Sequence, residues 1–132
     1  YNEAGFAAME KAIPLATEMF KRALKTPKLK VIFGTDAVAG AHGRNAEELV
    51  CRVQAGGQSP LDAITSATSL GAEALGMADR IGTLETGKLA DIILLDGDAT
   101  KNIYEMLKTK VVLKAGKIVV DKRPPAAATI PR

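Results

Sequence analysis

Apolar positions along the chain follow a helical period up to about residue 80 and a strand-like period after it. Residues 1–13 read as a helix or turn with a loose pattern of Phe6, Met9 and Ile13. Pro14 is expected to interrupt it, since proline lacks the amide proton and clashes inside a helix yet suits a first turn. From there Leu15, Met19, Phe20, Ala23 and Leu24 recur opposite Glu18, Lys21 and Arg22, predicting an amphipathic helix that ends at Thr26 and Pro27. Val31, Ile32 and Phe33 form a short continuous apolar run, which predicts a strand buried on both faces. Helix, short loop and buried strand make one step of an alternating α/β architecture.

A second helix is predicted from an Asn45 N-cap, with Glu47 and Glu48 in its first turn and a buried stripe of Ala46, Leu49, Val50 and Val53. Gly56 and Gly57 end it. Ser59, Pro60 and Asp62 form a start signal for a third helix, with Leu61, Ile64 and Ala67 facing inward. Thr68 and Ser69 are expected to cap a short helix through Leu75, closed by Gly76. Beyond Ile81 the glycines punctuate an apolar strand over 90–95. Two further runs, 110–113 and 117–120, flank Ala115-Gly116 as a hairpin. Residues 123–132 are rich in proline and alanine and are expected to be a disordered tail. So small a sheet can barely hold itself together and leaves unpaired edges, which implies a complement from elsewhere.

Chemistry concentrates on Val31–Gly43, VIFGTDAVAGAHG. Asp36 follows the predicted strand, and catalytic groups sit at that end of the strands in parallel barrels. The small residues Ala37, Gly40, Ala41 and Gly43 let backbone or ligand approach closely. Asp36 reads either as a functional carboxylate or as a cap for its own loop. His42, six residues on, reads either as a group facing substrate or as a structural loop histidine. Arg44 reads either as a fork for a substrate carboxylate or as a solvated surface charge.

With GTDA, a small-residue loop and HG come SPLDAITSATSLGAEALG, IGTLETGKLADIILLDGD and VVLKAGKIVV, in that order. The ordered set resembles the metal-dependent amidohydrolase superfamily, nearest its imidazolonepropionase-related and prolidase-like members, over roughly 14–121. The resemblance implies an α/β fold: the last units of a (β/α)8 TIM-type barrel over 1–80, and strands of a flanking composite β-sandwich over 81–122. It implies hydrolysis of a C–N bond in a small amide, cyclic amide or dipeptide by metal-activated water. A bound zinc lowers the pKa of its water from about 15.7 to roughly 7. The implied role of Asp36 is both metal ligand and acid/base, with Thr35, His42 and Arg44 as substrate-side neighbours.

Such a site holds one or two divalent ions, zinc foremost. Zinc needs three or four protein ligands. In the family the others are a His-x-His pair, a lysine that is carboxylated in many binuclear members, and two further histidines, none present here. The chain therefore reads as one wall of a site, completed by the rest of the barrel as a missing segment or another chain, with a homo-oligomer as a further arrangement. Opening on Tyr1, it reads as a piece of a longer protein. The alternative is a non-catalytic assembly subunit or truncated remnant.

Charge changes this picture little. A net +3 from 18 basic and 15 acidic residues is an ordinary soluble balance, without the basic stripe of a nucleic-acid binder. No run of 18 apolar residues is present, so no membrane span is expected. Cys51 is expected to be a buried, inert thiol, and a single cysteine leaves cytoplasm and periplasm both open. Gly82–Lys88 fits a phosphate-loop pattern, but Leu89 replaces the required Ser or Thr and a strand follows instead of a helix. A turn is the expected reading.

Overall fold

A computed structural model describes residues 2–124, so most of the expected tail, from residue 125 on, lies outside the described residues. Helix α1 spans Glu3–Lys25, started by the Asn2 side chain, which accepts from the Gly5 amide. Its basic last turn, Arg22 and Lys25, suits the negative end of the helix dipole. The expected break at Pro14 does not occur, and the helix runs through it. Proline there removes one donor, and the surrounding residues are exposed, so water can meet the freed carbonyl.

The expected strand at 31–33 is also absent as a strand. The segment pairs with no strand among the described residues, and burial alternates: Val31 and Phe33 are half-buried, Ile32 exposed. Two bonds hold it instead. The Phe33 amide donates to the Ser66 carbonyl at 3.1 Å, and Arg52 donates to the Ile32 carbonyl at 2.9 Å. A strand is defined by its ladder, and a local apolar run does not supply the neighbour.

Helix α2 covers Glu47–Gln54, with Leu49 and Arg52 on its buried face. Its N-cap is Ala46, not Asn45, because the Asn45 side chain is used elsewhere. Cys51 is exposed, against expectation. It stands two residues from Leu49, about 200° around the helix, on the opposite side from the stripe. The Arg52 guanidinium lies between two rings, 5.2 Å from the Phe20 centroid and 5.3 Å from that of Phe33. It joins α1, the 31–33 segment and α2.

Helix α3, Pro60–Ala67, starts as expected: Ser59 Oγ accepts from the Asp62 amide, with Pro60 in the first turn. Ala63 and Ser66 are its buried positions, whereas Leu61 and Ala67, expected inside, are exposed. Helix α4, Ser69–Ala74, is closed by Gly76 at φ 66°. The Met77 amide donates to the Ala72 carbonyl and the Gly76 amide to Glu73, a Schellman ending. Thr68 does not cap through its side chain; its hydroxyl donates back to Ile64.

The sheet is antiparallel in the order β1-β2-β3, with β1 Ile92–Leu95, β2 Thr109–Lys114 and β3 Lys117–Asp121. The hairpin forms as expected, and Ala115 as well as Gly116 takes positive φ, 49° and 76°, as a two-residue turn of this hand requires. Asp91 ties it down, accepting from the Ala115 amide at 2.8 Å and pairing with Lys114. Residues 82–88 form turns leading to β1, with Lys88 paired to Glu85. The sequence pattern did not reveal the 3-10 helix Ile103–Leu107, yet its Ile103 joins Leu49 and Ala63 in the core.

Apolar exposure is extensive. Leu61, Leu75, Leu84 and Ile93 are exposed on the rim of an open depression of about 800 Å³, and every residue of β3 is exposed. Contiguous apolar surface of this kind marks association sites. The 132-residue chain by itself is therefore expected to self-associate. Light scattering should give a mass well above 13.8 kDa; a compact monomer at micromolar concentration would contradict the need for a covering partner.

Candidate functional site

The loop that carries the candidate residues leaves the 31–33 segment at Gly34 and reaches α2 at Glu47. Hydrogen-bonded turns build most of it: Ala41 donates to Val38, Arg44 to Ala41, and Glu47 to Arg44. Thr35 is half-buried; Asp36, His42 and Arg44 are exposed.

Asp36 has φ 45°, an unusual angle for a residue with a side chain, and one that Asp tolerates better than most. Strained backbone of this kind is concentrated at functional sites. No hydrogen bond or ion pair among the described residues engages its carboxylate, so it does not cap its own loop through backbone amides. His42 is likewise without a side-chain bond among the described residues, and it stands on the same loop. Neither the neighbouring amides nor another side chain competes for these two groups.

Arg44 is occupied. Its Nε and Nη2 donate to the two carboxylate oxygens of Glu47 at 2.8 and 2.7 Å. The hydrogen bond from Arg44 holds the Glu47 carboxyl below the usual range, and the same bond raises the guanidinium pKa further. A substrate carboxylate would have to displace Glu47 to use this fork. Thr35 is occupied too: its hydroxyl oxygen accepts from Asn45 Nδ2 at 2.9 Å. Asn45 Oδ1 in turn accepts from the Gly43 amide at 3.2 Å. As a sequence feature Asn45 suggested only a helix cap. Its capacity to donate and accept at once is the signal that could have identified the bridge.

The donor set does not make a complete metal site. No group of three or more His, Cys, Asp or Glu among the described residues could hold an ion. The 800 Å³ depression includes Phe33 and residues of α3, α4 and β1, but not Asp36 or His42. Among the described residues no helix is long and apolar enough to cross a membrane.

Similarity to known proteins covers the same stretch. Residues 6–119 match the amidohydrolase family. Over 69 residues the chain is 39% identical to an imidazolonepropionase from Symbiobacterium thermophilum, covering 50% of this chain and 16% of that protein. Over 83 residues it is 36% identical to a 5-methylthioadenosine/S-adenosylhomocysteine deaminase from Teredinibacter turnerae, covering 56% of this chain and 19% of that one. A crystal structure of a Xaa-Pro dipeptidase, with methionine bound in its active site, superposes with a TM-score of 0.75 at 36% identity. That match covers 81% of this chain and 26% of the dipeptidase. The chain thus spans about a sixth to a quarter of the length of these relatives.

Proposed function

The chain belongs to the amidohydrolase family, and from that membership we propose that it forms one wall of a C–N bond hydrolase and presents Asp36 to the reacting centre. The observation that carries this reading is the exposed Asp36 carboxylate, without a hydrogen bond or ion pair among the described residues and held at positive φ where the 31–33 segment opens into the loop. On this reading residues 1–80 are the last part of a (β/α)8 barrel, and 81–122 are strands of the flanking sandwich. Further polypeptide, in the same chain or a second one, covers the apolar faces and supplies the opposite wall.

The substrate is a small amide, cyclic amide or dipeptide. A carboxylate placed as Asp36 is takes a proton on Oδ as water adds to the carbonyl carbon. It then returns that proton to the nitrogen as the C–N bond breaks, so that carboxylate and amine leave and Asp36 is regenerated. A divalent cation of the family's kind, zinc as one or two ions, supplies Lewis acidity when bound. Asp36 is one donor to it, and the donors that complete the set lie outside this chain. His42 faces the substrate side, with Thr35 and Arg44 as its neighbours.

A non-catalytic assembly role is favoured by one observation, the incomplete donor set among the described residues. One experiment separates the two. A panel of dipeptides, N-acyl amino acids and cyclic amides is assayed with the 132-residue chain and with the complete enzyme that contains it. The enzyme reading expects hydrolysis only in the complete enzyme, abolished by chelation and restored by zinc. No turnover of any panel member by the complete, metal-loaded protein would leave the assembly role standing.

A further inference from the structure

We propose that Asn45 is a positioning residue: its side-chain amide staples the ends of the loop that carries Asp36 and so sets the direction of that carboxylate. The inference rests on the reading of Asp36 as the acid/base. Two bonds make the staple, Asn45 Nδ2 to Thr35 Oγ1 at 2.9 Å and the Gly43 amide to Asn45 Oδ1 at 3.2 Å. A planar amide has one donor end and one acceptor end, and here each has found its complement, so rotation of the side chain loses both bonds together.

The residues between the anchor points are the ones that need holding. Asp36 is at φ 45° and Gly40 at φ 86°. A side chain at positive φ persists where the surroundings over-determine it. No bond among the described residues restrains the Asp36 carboxylate directly, so its direction is inherited from the backbone on either side. Upstream, the Phe33 amide is fixed on the Ser66 carbonyl. Downstream of Phe33 the next side-chain anchor is Thr35, and its partner is Asn45.

Asn45 is itself anchored, since its carbonyl accepts the Glu48 amide at 3.2 Å on entry to α2, the helix whose Leu49 and Arg52 are buried. The loop is thereby referenced to a helix instead of to solvent. Thr35 changes role on this account. Its oxygen closes the loop, and its proton remains available to donate.

Asn45 is exposed and Thr35 half-buried, and neither belongs to the core of Leu49, Ala63 and Ile103, so their substitution leaves that core in place. Four variants test the staple: Asn45→Ala, Thr35→Val, Thr35→Ser and Asn45→Asp. The first readout is hydrogen exchange by mass spectrometry on the complete enzyme. Asn45→Ala should raise exchange at the Gly43 amide about tenfold, the loss of roughly one net hydrogen bond. Asn45→Asp keeps that acceptor and can receive the Thr35 proton, so it should stay near the parent.

The second readout is kinetic, in the complete enzyme. Asn45→Ala and Thr35→Val should each lower kcat about 10- to 100-fold with KM within about twofold, because misplacement of a reacting group affects the chemical step. Thr35→Ser keeps the oxygen and should restore kcat. The double variant Asn45→Ala with Thr35→Val should be no worse than either single one, since the two share one interaction. Fully additive losses, a raised KM with intact kcat, or unchanged Gly43 exchange would overturn the staple. Full kcat in Asp36→Asn would instead overturn the catalytic reading, and the exchange result would still report on the bond itself.

Discussion

Asp36→Asn in the complete enzyme should lower kcat by about 10²–10⁴-fold, the usual contribution of a positioned acid/base group. Asparagine matches aspartate in size and tolerates positive φ nearly as well, so the backbone at φ 45° should survive the change. What is lost is a basic oxygen, since an amide oxygen keeps its lone pairs but is too weakly basic to take the proton. Metal content should be largely kept, because the donors that complete the site lie outside this chain.

His42→Ala provides the contrast. As a group on the substrate side it should raise KM more than it lowers kcat, the mark of lost uniform binding. Metal analysis must accompany the kinetics of each variant, since disturbed geometry would add to any loss. Near-parental kcat for Asp36→Asn at full metal occupancy would show that the unpaired carboxylate is not the acid/base group. Family membership would survive that result, and the mechanism proposed for this loop would not.

Arg52→Ala should be the most damaging single change to the fold, by about 3 kcal/mol. Arg52 is only 8% exposed. It donates to the Ile32 carbonyl at 2.9 Å and to Glu48 at 3.2 Å, and it sits over the Phe20 and Phe33 rings. Hydrogen bonds to charged groups contribute about 1.5–3 kcal/mol and cation–π contacts about 0.5–2. Two facts limit the total. Glu48 is partly exposed and can return to water, and Arg52 Nη1 is buried without a partner among the described residues, which costs part of the gain.

Arg52→Met separates the contributions. It keeps most of the volume between the rings but leaves the Ile32 carbonyl unmet, so a loss of about 1–2 kcal/mol is expected. Arg52→Lys keeps the charge but not the planar fork, and it should resemble Arg52→Met more than the parent. Thermal unfolding followed by circular dichroism measures each, with roughly 10 °C lost for the alanine variant. Should Arg52→Met prove as stable as the parent, the guanidinium contributes no net stability and only the packing of its stem matters.

Elements set by neighbours in the chain are legible in the sequence itself. Ser59, Pro60 and Asp62 started α3 where expected, because a cap is a bond between residues three apart. The Ala115-Gly116 turn formed with both angles positive, and its flanking strands paired in the expected hairpin. The family could also be read from ordered motifs, and residues 6–119 match it. The Asp36 loop stood out as the place where a strand-like run met small residues and a lone histidine. The cap and the turn each depend on residues only three apart, Ser59 with Asp62 and Lys114 with Lys117.

What failed to be legible depended on residues distant in sequence or on what faces outward. The apolar run 31–33 predicted a strand, but a ladder needs a neighbour, and here Arg52 takes the Ile32 carbonyl and the Ser66 carbonyl takes the Phe33 amide. Leu61 and Ala67 looked like core and are exposed. Helical spacing says which residues share a face and is silent on whether anything covers it. Cys51 was also expected inside, but it stands about 200° around α2 from Leu49, off the buried face. Asn45 could not be told from a cap until Thr35, ten residues earlier, was seen to accept its proton. Ile103 gave no periodic signal in its short 3-10 helix and became core only by meeting Leu49 and Ala63. By itself, then, the chain determined its local turns, caps and helical faces, and with them its family. Which face is buried, which segment pairs and what holds the Asp36 loop were decided by the tertiary structure, because those bonds form only when distant residues meet.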